Sequence, residues 1–343
     1  MWRTDVAVDL ATSAVRVFVR GRGVVLQEPS VVALDAETGD LLAVGQEALE
    51  MLGRAPDRIA TLRPLRHGVL AHYRLAAQML QPLLHRAVRR WGWQRIRAIV
   101  AVPPIATDVE RRAALQACYD AGAHEVHVVS APLAAAIGAG LPVEQVRGHM
   151  VVDVGAGTTD AAVFSMGREV ATLSVRAAGD EMDEAIMRSL RRRHNLVVGD
   201  RTAQEVKHRV GVVAAEAVTA PRETTDVRGQ DLTSGLPRMV TVTANEVAEA
   251  LREPAQAIAE AVRAVLERTP AELAADVIAT GLVLTGGGSL LRGLDRFIGQ
   301  ETGLPVRVAD DPPTCVVRGA GKILEAMGRF RGFSAHSPAR ATT

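Results

Sequence analysis

Two aspartates, Asp9 and Asp153, each end a short apolar run and precede a turn of small and hydroxyl-bearing residues. The first run is VAVDLATSAVRVF, from Val6 to Phe18; the second is MVVDVGAGTTDAAVF, from Met150 to Phe164. In the second, Gly155, Gly157, Thr158 and Thr159 form a turn that can aim backbone N–H groups and hydroxyls at an anion. A further glycine turn, Gly286 to Gly288, is expected to open a helix, whose positive end also suits a nucleotide. No Gly-Lys-Ser/Thr occurs, and a strand follows Gly155–Thr159, so the pattern is neither a Walker loop nor a dinucleotide fingerprint. One such turn alone says little, because a tight hairpin needs glycine for its own geometry. Two matching hairpins plus the third turn point to phosphate.

The elements that must hold these turns alternate between strand and helix. The paired hairpins suggest two related lobes facing each other across a cleft, the competing reading being coincidence between two ordinary hairpins. IRAIVAVPP reads as a buried strand, followed by a helix opened by Thr107 and closed by Gly122; HEVHVVS is the next strand, and a helix runs from Pro132 to about Gly140. In the second half, GDEMDEAIMRSLRRRHN and TAQEVKHRVGVVA read as helices, and ATGLVLTGGGSLLRGLDRFIGQETG as strand, turn and helix. The alternation predicts mixed α/β sheets. From about Gly332 the residues are small, polar and aperiodic, and read as a frayed tail.

Composition fits this frame. The chain has 343 residues, with a hydrophobic fraction of 48% and a charged fraction of 23%, the profile of a globular protein long enough for two domains. A net charge of +1 excludes strong global attraction to nucleic acid. Cys118 and Cys315 are too few for a disulfide framework or a zinc cluster and fit a reducing interior. Asp5 and Asp9 interrupt what a signal peptide would keep apolar, and no apolar run of about 18 residues occurs. A cytoplasmic protein is expected.

Several further segments carry a resemblance: EPSVVAL, RPLRHGVLAHY, VPPIATDVERRA, AAAIGAGLP, VVDVGAGTTD, GDEMDEAI, LTGGGSLLRGLD and DPPTCVVRGAGK. Their order over nearly the whole chain resembles the actin, sugar-kinase and chaperone-ATPase superfamily, and within it the MreB family. The resemblance implies an actin-like α/β fold, two lobes each with a large and a small subdomain around a nucleotide cleft. The first lobe would span 1–142, with its small subdomain at about 29–64 and its large one at about 1–28 and 65–142. The second would span 143–331, its small subdomain at about 179–245 and its large one at about 143–178 and 246–331, with 332–343 a disordered tail.

The implied cofactors are ATP and Mg²⁺. Phosphates would lie on Leu10, Ala11, Thr12, Ser13 and Ala14 and on Gly155, Ala156, Gly157, Thr158 and Thr159. Asp9 and Asp153 would hold the metal through its waters. The nucleoside would meet Gln204, Glu205, Val206, Lys207, Gly286, Gly287, Gly288 and Ser289. The family likeness places Glu110, with Asp153 and Thr158, in catalysis, as the residue that orients the attacking water. Thr107 and Glu110 also have the spacing of a helix capping box, and so do Thr202 and Glu205, which suggests that Glu205 is a cap rather than a ligand.

The chain departs from the family pattern around the nucleotide. Ala11 stands for a glycine, Ala14 and Val15 for polar residues, and Ala156 for the middle glycine of the second loop. Gln204 stands where a ribose-binding glutamate is expected, Ser130 and Ala131 replace an acidic pair, and Ala178 replaces a glycine. Binding is therefore expected to persist while turnover is slow or lost. Within HRAVRRWGWQRIR, Trp91 and Trp93 lie among arginines; the resemblance makes this a membrane-inserting loop, and the alternative is that both rings close the core. The implied function is a peripheral filament protein at the inner face of the cytoplasmic membrane. It would polymerise head-to-tail with itself, meet membrane-embedded cell-wall elongation proteins and serve cell shape. The alternative is a hydrolysis-deficient paralogue that copolymerises with, or modulates, a homologous filament protein. A small-molecule kinase or a client-binding chaperone fits the sequence less well.

Overall fold

The computed structural model describes residues 2–53, 56–88, 94–213 and 223–327. They form two compact units. One comprises the described residues up to Gln145, Met166–Glu169 and those from Pro313; the other comprises Val146–Ser165 and Val170–Pro312.

The first unit begins with an antiparallel meander, β1 (Trp2–Leu10), β2 (Ala14–Val19) and β3 (Gly23–Pro29). β4 (Val32–Asp35), β5 (Leu41–Val44) and β6 (Ile59–Leu62) form a separate three-stranded sheet beside the short helix α1 (Gln46–Met51). β7 (Leu65–Arg66) and β8 (Val69–Leu70) make a small hairpin. After α2 (Tyr73–Ala87), β9 (Gln94–Val102) returns parallel to β1; α3 (Asp108–Asp120) then leads to β10 (Glu125–Ser130), parallel to β9. The sheet order is β10-β9-β1-β2-β3.

Strand alternation divides the two faces of that sheet. Val6, Val8, Val15, Val17, Ala98 and Val100 share a core with Met79, Leu80, Leu83 and Leu84 of α2 and Leu115 and Cys118 of α3. On the same sheet also pack α10 (Cys315–Ala326), against β1 and β9, and α4 (Ala131–Gly138), against β9 and β10. These two helices meet backbone to backbone: a Cβ on Gly319 would lie 1.7 Å from the Ala134 carbonyl oxygen, and one on Gly138 1.8 Å from that of Cys315. The glycines of the motifs AAAIGAGLP and CVVRGAGK are thus packing requirements.

The second unit repeats the scheme. β11 (His149–Val154), β12 (Thr159–Ser165) and β13 (Arg168–Val175) form the meander. β17 (Leu282–Thr285) lies parallel to β11 and β18 (Val306–Val308) parallel to β17, giving β13-β12-β11-β17-β18. Between the meander and β17 come α5 (Gly179–His194), β14 (Leu196–Val197), α6 (Asp200–Val210), β15 (Thr224–Asp231), β16 (Pro237–Thr243), α7 (Ala244–Glu267) and α8 (Ala271–Thr280), and α9 (Leu294–Thr302) precedes β18. β14, β15 and β16 form the small sheet. α7 is set by a Thr243/Glu246 capping box and by buried Val247, Leu251, Ala255, Ile258, Val262 and Val265, a helical stripe facing one core. The sequence echo is therefore a duplicated topology, and the mixed α/β expectation holds.

Three local expectations change. α6 starts at Asp200 after Gly199, with no side-chain cap, so Thr202 lies within the helix and Glu205 pairs instead with Arg201 one turn away, at 3.3 Å. The helix stops at Val210, because Val212 leaves it to form a β-bridge with Arg292. Gly286–Gly288 leads into a four-residue 3₁₀ turn, Gly287–Leu290, and α9 begins only at Leu294. The helix-dipole argument for that turn is correspondingly weaker, and its backbone N–H groups carry the case. Among the described residues no helix is long and apolar enough to cross a membrane. Trp91, Trp93 and the tail from Gly332 lie outside the described residues.

Candidate functional site

In the first unit, Asp9 closes β1 and lies opposite Arg16 of β2 in the register. Both are buried, at 7% exposure each, and Arg16 Nη1 donates to Asp9 Oδ2 at 2.9 Å. Burial lifts the Asp9 carboxyl above its ordinary value; the permanently charged guanidinium opposes that lift. The turn from Leu10 to Ala14 is tied by Ala11 N donating to the Ala14 carbonyl at 3.2 Å. Ser30, wholly buried, donates its hydroxyl to the Ala11 carbonyl at 2.6 Å and its N–H to the Ser13 carbonyl at 3.0 Å. Thr12 is also buried, and its hydroxyl accepts from Gly68 N at 2.9 Å. Gly68 and His67, both at positive φ, form the two-residue turn of the β7–β8 hairpin, which is thereby anchored to Leu10–Ala14.

Glu110 sits in the first turn of α3, where the capping box is complete. Its Oε2 accepts from Thr107 N at 2.7 Å and from the Thr107 hydroxyl at 2.8 Å, and Thr107 Oγ1 accepts from Glu110 N at 3.3 Å. The same carboxylate lines a surface depression with Leu10, Gly68, Ala101 and Ala106. Cap and cavity lining coexist.

The second unit gathers more of the expected residues. The Gly155 N–H donates to the Thr158 carbonyl at 2.9 Å and closes the turn after Asp153. The start of α5 is stitched to this turn: Gly179 N donates to the Gly155 carbonyl at 3.1 Å and Asp180 N to that of Ala156 at 2.7 Å. Lys207 reaches the same place, donating to the Gly179 carbonyl at 2.7 Å and pairing with Asp183 at 2.8 Å. The glycine turn after β17 presses on it from another side. A Cβ on Gly286, at φ +79°, would lie 2.3 Å from the Val154 carbonyl oxygen, and one on Gly288 would lie 2.5 Å from Val154 Cγ1. Ser289 Oγ donates back to the Gly286 carbonyl at 2.6 Å. Asp153 Oδ1 accepts from the Thr285 hydroxyl at 2.7 Å. The register partner of Asp153 is Asp160, whose carboxylate accepts from the Thr158 and Ser174 hydroxyls.

Gln204 is half-buried on α6, Val206 is buried in the core, and Glu205 is exposed and paired with Arg201. Of that segment, Lys207 reaches the surroundings of Gly155–Thr159, through the Gly179 carbonyl. Sequence reasoning missed Arg16, Ser30, Asp160, Asp183 and Thr285. The signals were present for two: an arginine inside the apolar strand VRVFV, and an aspartate directly before AAVF. Both cysteines are buried, and burial pushes the Cys118 thiol up to about 12, which makes it a poor nucleophile.

A family model described as "MreB/Mbl protein" matches residues 3–331 of this sequence. The chain belongs to the MreB/Mbl family. It is 46% identical over 338 residues to the cell shape-determining protein MreB of Escherichia coli K12, covering 97% of this chain and 96% of that one. To the cell shape-determining protein Mbl of Bacillus subtilis 168 it is 43% identical over 330 residues, covering 96% and 98%. Among solved structures, MreB5 of Spiroplasma citri bound to AMPPNP superposes with a TM-score of 0.89 at 32% identity, covering 95% of this chain and 96% of that chain. A MamK double helical filament subunit superposes with a TM-score of 0.78 at 24% identity over 94% of this chain and 99% of its own, which speaks to the fold alone. The actin-like fold inferred from sequence is the fold of this MreB/Mbl chain.

Proposed function

We propose that this MreB/Mbl chain binds adenine nucleotide and polymerises into filaments that serve cell shape. The observation that carries the reading is the second unit's pair of interlocked turns. Gly155–Thr159 and Gly286–Ser289 approach so closely that a side chain at Gly286 would strike backbone. Such turns concentrate N–H donors on an anion. MreB5, the family member with 32% identity, is bound to AMPPNP in its solved structure, and a second MreB5 structure is bound to ADP. Thr158 would donate to phosphate, and Gln204 and Lys207 would lie toward the nucleoside. Self-association follows as the family's mode of action. A head-to-tail contact that does not close makes a filament.

A hydrated Mg²⁺ fits the second unit better than the first. Asp153 stands across from a second buried carboxylate, Asp160, as suits a strongly hydrated divalent ion held through water. The Asp9 carboxylate already meets Arg16. When bound, Mg²⁺ would supply charge neutralisation to the phosphates, and Asp153 would hold it through water.

The alternative, a hydrolysis-deficient paralogue, gains support from two observations: the occupied Asp9, and the Glu110 Oε2 committed to its helix cap. Docking at the inner face of the cytoplasmic membrane through Trp91 and Trp93, and contact with membrane-embedded cell-wall elongation proteins, complete the reading. Pelleting and negative-stain microscopy with and without Mg-ATP, run beside phosphate release, test it. Filaments with family-typical phosphate release support the ATPase; filaments without release support the paralogue; no filaments and no nucleotide binding overturn both. Trp91→Ala with Trp93→Ala is expected to abolish liposome co-sedimentation of a folded chain, and undiminished binding removes that loop from the account.

A further inference from the structure

Arg16 occupies an unusual place. It projects from a strand of buried apolar neighbours, Val15 and Val17, and is itself 7% exposed. A guanidinium keeps its proton in any protein environment, so β2 carries a permanent buried cation. Its Nη1 lies 2.9 Å from Asp9 Oδ2, and its Nε–H is buried with no acceptor among the described residues. A buried donor without an acceptor is costly.

A divalent ion approaching Asp9 would meet a carboxylate already neutralised, with a like charge beside it. At this depth the repulsion is screened poorly by water. The guanidinium holds Asp9 Oδ2, so a divalent ion on the same carboxylate would add like-charge repulsion in a place with little water. We propose that Arg16 is a resident counter-cation for Asp9 that excludes a divalent metal from that carboxylate, so that Asp9 adds nothing to the magnesium dependence of nucleotide binding and any magnesium acts through Asp153 alone. The statement about nucleotide rests on the nucleotide-binding reading above; the exclusion of metal from Asp9 does not.

The full chain is titrated with a fluorescent ADP analogue in excess EDTA and in excess magnesium. The ratio of the two dissociation constants in the unchanged chain is the reference, and it reports any magnesium held through Asp153. Arg16→Met should raise that ratio at least about tenfold, because Asp9 is then open to the metal, while Arg16→Lys should stay within about threefold of the parent. A parent chain as magnesium-dependent as Arg16→Met, or an Arg16→Met chain equally weakened in both conditions, overturns the proposal. The second result would make Arg16 a structural ion pair only.

A separate measurement omits nucleotide. Mn²⁺ binding is followed by electron paramagnetic resonance in the parent, in Arg16→Met and in Arg16→Met with Asp9→Asn. Arg16→Met should gain a bound Mn²⁺ that the double variant loses, and the parent should lack it. An Asp9-dependent Mn²⁺ site in the parent, or no gain in Arg16→Met, overturns the proposal even if the chain binds no nucleotide. Should Arg16→Met fail to fold, Asp9→Asn in the parent decides: unchanged magnesium dependence of ADP binding supports the proposal, and a shallower dependence, the mark of a lost metal-holding carboxylate, overturns it.

Discussion

The two central hairpins share topology and differ in charge. In β1–β2 the terminal aspartate faces an arginine across the register; in β11–β12 it faces a second aspartate. The first hairpin is electrostatically closed: Asp9 and Arg16 neutralise each other's charge, and Ser30 and Thr12 tie the turn to its surroundings. The second concentrates negative charge under a turn rich in N–H donors and keeps its cation, Lys207, engaged with Asp183 to one side. Duplicated backbones have kept their shape while their electrostatic roles diverged.

The largest expected difference follows from that contrast. Asp9→Asn leaves the buried Arg16 charge without its counter-ion and should cost about 3–5 kcal/mol in denaturant-induced unfolding. Asp153→Asn keeps an acceptor for the Thr285 hydroxyl and relieves repulsion with Asp160, so its cost should stay within about 1 kcal/mol. Equal losses in the two variants would break the comparison. Next in size is the glycine turn of the second unit. Gly286→Ala puts a Cβ at φ +79° and 2.3 Å from a carbonyl oxygen; the conformation alone costs about 1–2 kcal/mol, with the clash added. Gly287→Ala meets nothing within 4 Å and should melt with the parent.

The two capping boxes offer a smaller, paired test. Thr107→Ala and Thr243→Ala each remove the hydroxyl that accepts from the third residue of the helix, at a cost of about 1 kcal/mol in either unit. Thermal melting reads this. Glu110→Gln and Glu246→Gln keep a carbonyl acceptor in each box, and Glu246→Gln should melt slightly lower because it also weakens the His194 contact at 2.9 Å. If Glu110 orients water, only its variant lowers phosphate release, whereas equal release from both variants leaves Glu110 a cap.

How much of this was legible depended on whether the signal was local. The duplicated hairpins, the Thr107 cap and the Gly155–Thr159 turn are written in contiguous residues, and strand, turn and cap chemistry reads them directly. Gly138 and Gly319 are visible as glycines, but their reason, helix backbones in contact, needs α10 folded back onto α4. The Thr202/Glu205 spacing misled because the same Thr-x-x-Glu pattern fits a helix interior once Gly199 has already started the helix. Arg16 was passed over because strand alternation suggests an outward polar residue, whereas this strand is covered on both faces. Only the register brings Asp9 to it.

The smallest expected effect bears on the substituted turns. An alanine in place of glycine is strained only where φ is positive. Among the described residues the non-glycine positions at positive φ are His67, Met166, Asn195 and Asp311, so Ala11 and Ala156 are relaxed. Any penalty from their methyl groups therefore falls on the ligand. Ala11→Gly and Ala156→Gly should each lower stability by about 0.4–1 kcal/mol, because glycine enlarges the unfolded ensemble. At the same time they should tighten nucleotide binding by removing a methyl group from the phosphate's approach. Both changes are read from one pair of measurements, melting temperature and ADP titration. A gain in affinity at Ala156 but not at Ala11 would assign the phosphate contact to the second hairpin, whereas weaker binding in both variants would mean that the methyl groups support the turns.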